Sequence, residues 1–355
     1  YEGGTGPAVT DIGTTGTIAT GHDRDWTATA GASGREPGAT SYYRFFTDEA
    51  SSIAGRARAA PRGDVSELRL GVAACTSYWS GQFNGYGRLA DRNSLDLIVH
   101  VGDYIYDFPD PQEYVRARHD IFDEEYVDFR RWETIDEVRR RYALYYSDPD
   151  QVRAHQQHPF SIMWDNHEVS PNGDVTAEQA RRVFWEWTPS RPVKPDGSGD
   201  PLGPTDDYPE PEDPKYLYRR LPYGDLADLL LMDHEQWSEQ PSPDSLEQYR
   251  SLLGAEQFEW VTESMTDSAE AGTTWRGLGN PLYIGPMRVY NLPEEVPLLD
   301  RDGVQSDLVY NSRQWDGYPL ERERFCELLR EEGVEDNLFL TGDMHMNWCS
   351  DVTEN

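Results

Sequence analysis

Positive charge is scarce in this 355-residue chain. It has 32 lysines and arginines against 65 aspartates and glutamates, a formal net charge of −33, and its lysines are Lys194 and Lys215. A field of this sign repels nucleic acid and anionic membranes, so neither is expected as a partner. Because the Debye length falls to about 3 Å near 1 M salt, we expect an acidic surface adapted to high salt. An acidic protein of a low-salt medium is the alternative.

Cysteine and long apolar runs are also scarce. The three cysteines, Cys75, Cys326 and Cys349, are too few for a disulfide framework, and their odd number leaves at least one thiol free. No apolar run approaches the roughly 20 residues of a membrane-spanning helix, and the longest candidate, 226–232, contains Asp228. The chain begins without a methionine or a signal-like segment, so we expect a mature protein or a fragment.

The change in composition along the chain predicts one large domain after a short N-terminal leader. Residues 1–65 are rich in Gly, Thr and Ala with strand-like pieces such as 41–46, which predicts a partial, β-rich N-terminal region. From residue 66 to residue 355, apolar runs alternate with helical stretches, which is typical of an α/β fold. A hydrophobic content of 37% is enough for a sizeable core.

Helical periodicity predicts six helices, over 82–91, 134–155, 176–187, 245–253, 255–265 and 319–332. Thr134 and Glu137 have the spacing of a capping box, and Pro319 suits a first helical turn. Residues 189–214 are dense in Pro, Gly and Asp, which predicts a long surface loop or lid.

Four short apolar runs each end at a residue that can bind a metal or a phosphate. The runs are 68–74 before Cys75, 95–101 before Asp103, 160–164 before residues 165–168, and 337–340 before residues 342–345. Ligands of α/β proteins bind at the carboxyl ends of strands, so the four endings predict one convergent site. Singly, each has an ordinary explanation as a buried cysteine, a turn or a helix cap. Jointly, in a chain with only eight histidines and three cysteines, they predict metal binding.

Five motifs follow one another along the chain: Ala-Ala-Cys-Thr-Ser around Cys75, Val-His-Val-Gly-Asp-Tyr-Ile-Tyr at 99–106, Trp-Asp-Asn-His-Glu-Val at 164–169, Trp-Asp-Gly-Tyr at 315–318 and Thr-Gly-Asp-Met-His at 341–345. In this order they resemble the signature of the PhoD-type alkaline phosphatases and phosphodiesterases. The resemblance, over about 41–348, implies the calcineurin-like metallophosphoesterase fold, a two-sheet αββα sandwich flanked by helices. It also implies hydrolysis of phosphate esters by a metal-activated hydroxide, and an extracellular or cell-surface location.

The resemblance further implies a centre of ferric iron and calcium. Matched by position, the implied ligands are Cys75 and Tyr106 on iron, Asp103 bridging iron to calcium, Asn166 and Asp343 on the second metal, and His345 on one of the two. Thiolate and phenolate require a strongly Lewis-acidic ion to lose their protons near neutral pH, which favours ferric iron. Carboxylate and amide oxygens suit calcium, magnesium or manganese, and zinc is a further alternative.

His167 is the predicted general acid. With a metal-activated nucleophile and Asp103 and Asn166 holding the ions, no side-chain nucleophile is required. His167 would protonate the leaving oxygen or stabilise the transition state, and a structural hydrogen-bonding role is the alternative. Of the other histidines, we expect His100 in the core and His155 and His158 on the exposed end of a helix.

The sequence departs from the family pattern in three places. Position 166 is Asn where the family usually has Asp. Residues 233–235, Asp-His-Glu, stand where the family has Asp-Thr-Arg, which puts a phosphate-clamping arginine there in doubt. The chain is short at both ends, so we expect a catalytic domain truncated at its C-terminus. Two rival functions are a phosphodiesterase or phospholipase D-like hydrolase on the same metals, and a non-catalytic phosphate-binding protein.

Overall fold

The computed structural model describes residues 15–32, 34–108, 131–190, 192–194, 217–239, 250–285, 313–347 and 349–352. In chain order the elements are β1 (Thr40–Tyr43), β2 (Gly55–Arg58), β3 (Leu70–Ala73), α1 (Asn84–Ala90), β4 (Leu97–Val101), α2 (Ile135–Tyr145), α3 (Pro149–Gln157), β5 (Phe160–Met163), α4 (Ala177–Trp187), β6 (Arg219–Tyr223), β7 (Ala227–Leu231), α5 (Gly254–Glu270), β8 (Trp275–Gly279), α6 (Pro319–Glu331) and β9 (Asn337–Leu340). None of the helices in these ranges has the length and apolar composition needed to span a bilayer.

The predicted helix over 134–155 is in fact two helices. Thr134 caps α2 through the predicted box, since the Glu137 carboxylate accepts a hydrogen bond from the Thr134 N–H at 3.0 Å. The helix then stops, because Pro149 disfavours helical backbone in the residue before it. Asp148 is the N-cap of α3, because its carboxylate accepts hydrogen bonds from the backbone N–H groups of Asp150 and Gln151. The prediction of one continuous helix was therefore wrong over residues 146–148.

The other helix predictions have mixed outcomes. Helices α1, α4 and α6 lie where periodicity places them, and α5 continues to Glu270, past its predicted end at residue 265. Of the predicted helix over 245–253, residues 250–253 are not helical and 245–249 lie outside the described residues. The predicted loop over 189–214 also lies mostly outside them.

The strands form three sheets in the described part of the chain. β1 and β2 pair antiparallel, and β3, β4 and β5 form a parallel sheet in that order. The third sheet has the order β6-β7-β8-β9. Strands β7, β8 and β9 are parallel, and β6 pairs antiparallel with β7. Because β3, β4 and β5 run the same way, the residues that follow them leave at one edge of their sheet. β9, the fourth predicted strand, belongs to the other sheet, so the strand endings come from two sheets.

Alternate residues of β7 face two different cores. Leu229 and Leu231 lie in the core that contains Val101 of β4 and Phe184 of α4. Leu230, between them, lies in a second core, which includes residues of α5 and α6. The period-2 alternation of a strand thus places β7 between two apolar layers. The mixed α/β class is confirmed by this arrangement and by the similarity to a solved structure described below.

The β1–β2 hairpin is bonded to helix α3. The Arg56 guanidinium donates to the carbonyl of Gln157 at 3.0 Å, and the Gln156 amide donates to the carbonyl of Ala54 at 2.9 Å. Residues 40–58 therefore contact the main body directly. The domain boundary at residues 65 and 66 stays a prediction.

Two of the three histidine expectations outside the site were wrong. His100 is buried in β4 with Nε2 at 2.9 Å from the Thr76 hydroxyl, as expected. His155, however, is bonded to the Tyr104 hydroxyl at 2.6 Å and stacks on Phe160, and His158 is buried against the carbonyl of Leu89. Packing of α3 against α1 buries His158, and the rings of Tyr104, Tyr146 and Phe160 surround His155. Burial lowers the pKa of His155 to about 3, so this ring is neutral at ordinary pH.

A buried carboxyl follows β7. Asp233 accepts hydrogen bonds from the Trp164 indole N–H at 2.7 Å and from the backbone N–H of Gln236 at 3.2 Å. Its own N–H and carbonyl are both bonded to the Gln257 amide at 2.7 Å. These bonds fix the turn over 233–236. Burial nevertheless raises the pKa of Asp233 to about 6, since the two donors only partly offset desolvation.

The Asp233→Asn variant is expected to gain stability relative to the native chain as pH rises. A carboxyl with a raised pKa stabilises the fold when protonated, and that contribution is lost as pH rises through about 6. Because a pKa difference of one corresponds to about 1.4 kcal/mol, the variant should gain roughly 3 kcal/mol between about pH 4 and pH 8. Urea unfolding across this range measures it, with Asp174→Asn, an exposed site, as control. A difference that does not change with pH would contradict the assignment.

Candidate metal centre

Four predicted ligands have left-handed backbone and lie within five residues of a strand end. The φ angles are 54° at Cys75, 54° at Asp103, 56° at Asp343 and 51° at His345. These are four of the seven non-glycine residues with positive φ in the described ranges. Such backbone costs on the order of 1–3 kcal/mol per residue and concentrates at functional sites. The chain therefore turns sharply after β3, β4 and β9.

Two glycines let these turns approach one another. A Cβ on Gly102, which has φ 97°, would lie 2.7 Å from the Cβ of Asp165. A Cβ on Gly342 would lie 2.8 Å from the Cβ of Ala74 and 3.0 Å from the carbonyl of Val101. Only glycine fits at such distances. The segment after β9 thus packs against the ends of β3 and β4, which joins the two sheets at the site.

The first group of donors contains the predicted iron ligands. One atom each from Cys75, Asp103 and His345 lie within 4.8 Å of one another. The Cys75 Sγ is 3.7 Å from Asp103 Oδ2, and the Tyr106 hydroxyl is 3.4 Å from the same oxygen. The Tyr106 hydroxyl is also 2.9 Å from His345 Nε2. Thiol, phenol, carboxyl and imidazole thus converge, as the motifs predict.

The second group is formed by carboxylates. Oxygens of Asp103, Asp165 and Asp343 lie within 4.8 Å of one another, so Asp103 belongs to both groups. The Asp343 N–H, in turn, points to the Cys75 sulfur at 3.2 Å. A carboxylate shared by two donor groups has the geometry expected of the predicted bridge.

Asp165 is the acidic residue that sequence reasoning missed. The prediction placed the oxygen donor at Asn166, which is half-buried beside it, and that ligand role stays a prediction. Asp165 Oδ2 is buried and has no hydrogen-bond partner among the described residues. The signal was present, because Asp165 is the first polar residue after the apolar run over 160–164, as Asp103 is the first acidic one after 95–101.

The burial and close spacing of the acidic side chains in the two donor groups favour bound cations. Burial raises the pKa of the Cys75 thiol, and the charges of Asp103 and Asp165 raise it further. Burial raises the pKa of Asp103 to about 6, although His167 lowers it. The pKa of Asp165 is raised well above its usual value by burial and then by Asp103. Closely spaced buried acids repel one another when ionised, and bound cations relieve that repulsion. The donor set and the orphaned Asp165 oxygen therefore suit metal ions.

His167 is held at the edge of the first group. Its Nδ1 is 2.6 Å from Asp107 Oδ1, and Arg131 Nε is 2.5 Å from the other oxygen of that buried carboxylate. The ring lies over Tyr106 with centroids 4.1 Å apart. The backbone N–H of His167 points to Asp103 Oδ1 at 3.4 Å. Asp107 thus fixes the orientation of the imidazole. Sequence reasoning missed Asp107, which directly follows the 99–106 motif, and Arg131, which no motif marks.

Glu168 connects the segments that follow β4 and β5. Its carboxylate accepts from the N–H of Ile105 at 3.0 Å and from the N–H of Asp165 at 2.9 Å. The side chain is completely buried, and burial, followed by the charge of Asp103, raises its pKa well above the usual value. Glu168 therefore holds the segments that carry Tyr106 and Asp165 in register.

An arginine from a distant segment also reaches the carboxylates. Arg313 Nη2 is 2.8 Å from Glu235 Oε1 and 3.4 Å from Asp165 Oδ1. The next residue, Gln314, donates from its amide to Asp343 Oδ2. No sequence motif pointed to Arg313.

Fold and site together define an α/β protein with a candidate two-metal centre at converging strand ends. A model of the PhoD-like phosphatase family matches residues 70–355, and the chain therefore belongs to that family. The resemblance inferred from the motifs is confirmed.

Two relatives give the extent of the similarity. Alkaline phosphatase D of Bacillus subtilis (strain 168) is 29% identical over 346 residues, which cover 90% of this chain and 53% of the relative. A solved structure of PhoD superposes with a TM-score of 0.67 and 27% identity, over 87% of this chain and 57% of that one. The chain thus spans little more than half the length of the relatives it matches.

Proposed function

We propose that this chain hydrolyses phosphate esters at a centre of two metal ions. The observation that carries the proposal is Asp103, whose carboxylate is shared by the thiol-containing and the all-carboxylate donor groups. Family membership and the name of the Bacillus subtilis relative, an alkaline phosphatase, support it. When bound, the ions would supply Lewis acidity and an activated water for attack at phosphorus. The chain supplies their ligands and the orientation of His167.

The arrangement of layers supports the finer fold assignment. We infer a two-sheet αββα sandwich, because Leu229 and Leu231 of the four-stranded sheet share a core with Val101 of the three-stranded sheet. Helices α5 and α6 would cover the other face, since both contribute to the core around Leu230. An extracellular or cell-surface location stays a prediction of the resemblance.

Ferric iron is proposed at the first donor group and calcium at the second. Cys75 and Tyr106 offer ligands that a strongly Lewis-acidic ion deprotonates, and Asp165 and Asp343 offer the hard oxygens that calcium prefers. Asn166 would add a neutral oxygen to the second ion. Magnesium, manganese or zinc would be alternatives for that position.

Tyr106→Phe is expected to bleach or shift the visible colour of the protein. Phenolate and thiolate bound to ferric iron should give a charge-transfer band, and phenylalanine removes one of the donors. Absorption spectra of the purified native chain and the variant measure this, with the exposed Tyr42→Phe as control. A colourless, fully active protein that contains only zinc would contradict the iron assignment.

His167 is proposed to protonate the leaving oxygen. The hydrogen bond to Asp107 on Nδ1 fixes the ring orientation. A general acid needs hydrogen-bond reach to the leaving oxygen, and the ring lies against Tyr106 at the edge of the first donor group. Asp107 and Arg131 act through His167 and are positioning residues.

The experiment that tests the function is a comparison of two substrates. The full chain, supplied with iron and calcium in molar salt, should hydrolyse nitrophenyl phosphate with a higher kcat/KM than bis-nitrophenyl phosphate. The reverse preference would favour the phosphodiesterase or phospholipase D-like alternative. Stoichiometric metal binding without turnover of either ester would overturn the proposal in favour of a phosphate-binding protein.

A further inference from the structure

We propose that Arg313 binds the phosphoryl oxygens of the substrate and that Glu235 positions it, an inference that rests on the proposed function. Glu235 and Arg313 come from distant segments of the chain and form an ion pair of 2.8 Å. The guanidinium lies at the rim of the carboxylate group, with 46% of the side chain exposed. It therefore faces both the buried oxygens and the solvent from which an ester must enter.

The segment that carries Arg313 is anchored to the core. Gln314 is buried, donates to Asp343 and accepts from the N–H of Tyr283 at 2.5 Å. Trp315 is completely buried and donates its indole N–H to Asn280 Oδ1 at 3.1 Å. Because its two C-terminal neighbours are fixed in this way, Arg313 has a defined place beside the second donor group.

The partner of Arg313 is equally fixed. Glu235 lies in the turn over 233–236, which the bonds of Asp233 to Trp164 and Gln257 hold at the carboxyl end of β7. The Glu235 side chain is only 16% exposed. A charge-assisted bond of 2.8 Å to a partner this well held orients the guanidinium plane.

Charge favours phosphate as the ligand of this arginine. The carboxylates of Glu235, Asp165, Asp343 and Asp103 all attract Arg313 electrostatically. Asp165 and Asp343 are candidate metal ligands, and a carboxylate bound to a cation offers less charge to an arginine. A guanidinium has five donors in a planar fork that matches phosphate oxygens. In a chain of charge −33, with long-range fields screened by salt, a cation at the rim supplies local attraction for the dianion.

The test compares Arg313→Ala, Arg313→Lys and Glu235→Gln with the native chain. We expect Arg313→Ala to lower kcat/KM for nitrophenyl phosphate by roughly 100- to 1,000-fold, the usual effect of removing one transition-state donor. Its inhibition constant for inorganic phosphate should rise at least about tenfold, since a charge-assisted bond is lost, with metal content unchanged. Arg313→Lys should be intermediate because it keeps the charge without the fork. Glu235→Gln should raise KM more than it lowers kcat.

Arg330→Ala, on the exposed face of α6 where Arg330 pairs with Glu327, is the matched control and should leave these constants unchanged. Unchanged phosphate inhibition in Arg313→Ala, or a loss of bound metal that alone accounts for lost activity, would overturn the inference. If Arg313→Ala fails to fold, Arg313→Lys provides the same readouts. Calorimetric binding of inorganic phosphate separates the two proposals. A native chain that binds phosphate without hydrolysing esters would refute the function, and the Arg313 variants would still test the subsite.

Discussion

Replacing Asp103 with asparagine is expected to reduce ester hydrolysis by more than about 1,000-fold, a loss of at least about 4 kcal/mol of transition-state stabilisation. The reason is that one carboxylate serves both donor groups, so its loss weakens both candidate metal positions. Metal content should fall along with activity. The fold should persist, because Asp103 follows β4 and the strand itself is held by Val99 and Val101 in the core.

Asp91→Asn is a suitable control for this variant. Asp91 is half-exposed and pairs with Arg153 on the surface, so replacing its carboxylate with an amide should leave turnover and metal content unchanged. Kinetics, metal analysis and circular dichroism on both variants distinguish loss of the centre from loss of the fold. Near-normal turnover in Asp103→Asn would show that the two donor groups do not share a functional bridge.

High salt is expected to raise both the unfolding temperature and the activity. We propose that the surface is adapted to it, because 65 acidic residues against 32 basic ones produce self-repulsion that weak screening leaves intact. From about 0.1 to 3 M salt the Debye length falls from about 10 Å to below 3 Å. Unfolding temperature should rise by roughly 10 °C or more over this range.

Substrate affinity should follow the same dependence. A phosphate dianion meets the same negative field as the chain's own carboxylates, so KM should fall as salt rises. Sodium chloride and potassium chloride should act alike if screening is the cause. Thermal unfolding and initial rates measured in both salts test this. Activity that is highest in dilute buffer, with an unfolding temperature indifferent to salt, would refute the proposed adaptation.

Much of the site was predictable because its residues lie in short motifs at strand ends. Cys75, Asp103 and Tyr106 were expected to converge with Asp343 and His345, and the structure brings all five together. Parallel pairing of β3, β4 and β5 explains part of this, since the carboxyl ends of parallel strands share an edge. The strand-end motifs and the family resemblance that they carry supplied this information.

The residues that were missed depend on contacts between distant parts of the chain. Arg313 and Asp165 are 148 residues apart in sequence and meet only because the segment after residue 312 folds against the turn after β5. Arg131 reaches Asp107 in the same way, without a motif of its own. The prediction of one helix over 134–155 was wrong for a local reason. Asp148 and Pro149 form a helix start signal in the sequence, and the prediction relied on periodicity alone. Asn166 was inferred from its position in the matched motif, and its ligand role stays a prediction.

We propose that the strand-end donors hold the metals on which hydrolysis depends, and removal and return of the metals is the sharpest test. The purified chain would be stripped with a chelator in molar salt, then titrated with ferric iron, calcium or both while bound metal and nitrophenyl phosphate hydrolysis are measured. Activity should disappear on stripping and return fully only when both donor groups are loaded, with the visible band returning alongside iron. Full activity in the stripped protein, or full recovery with one ion bound per chain, would contradict it.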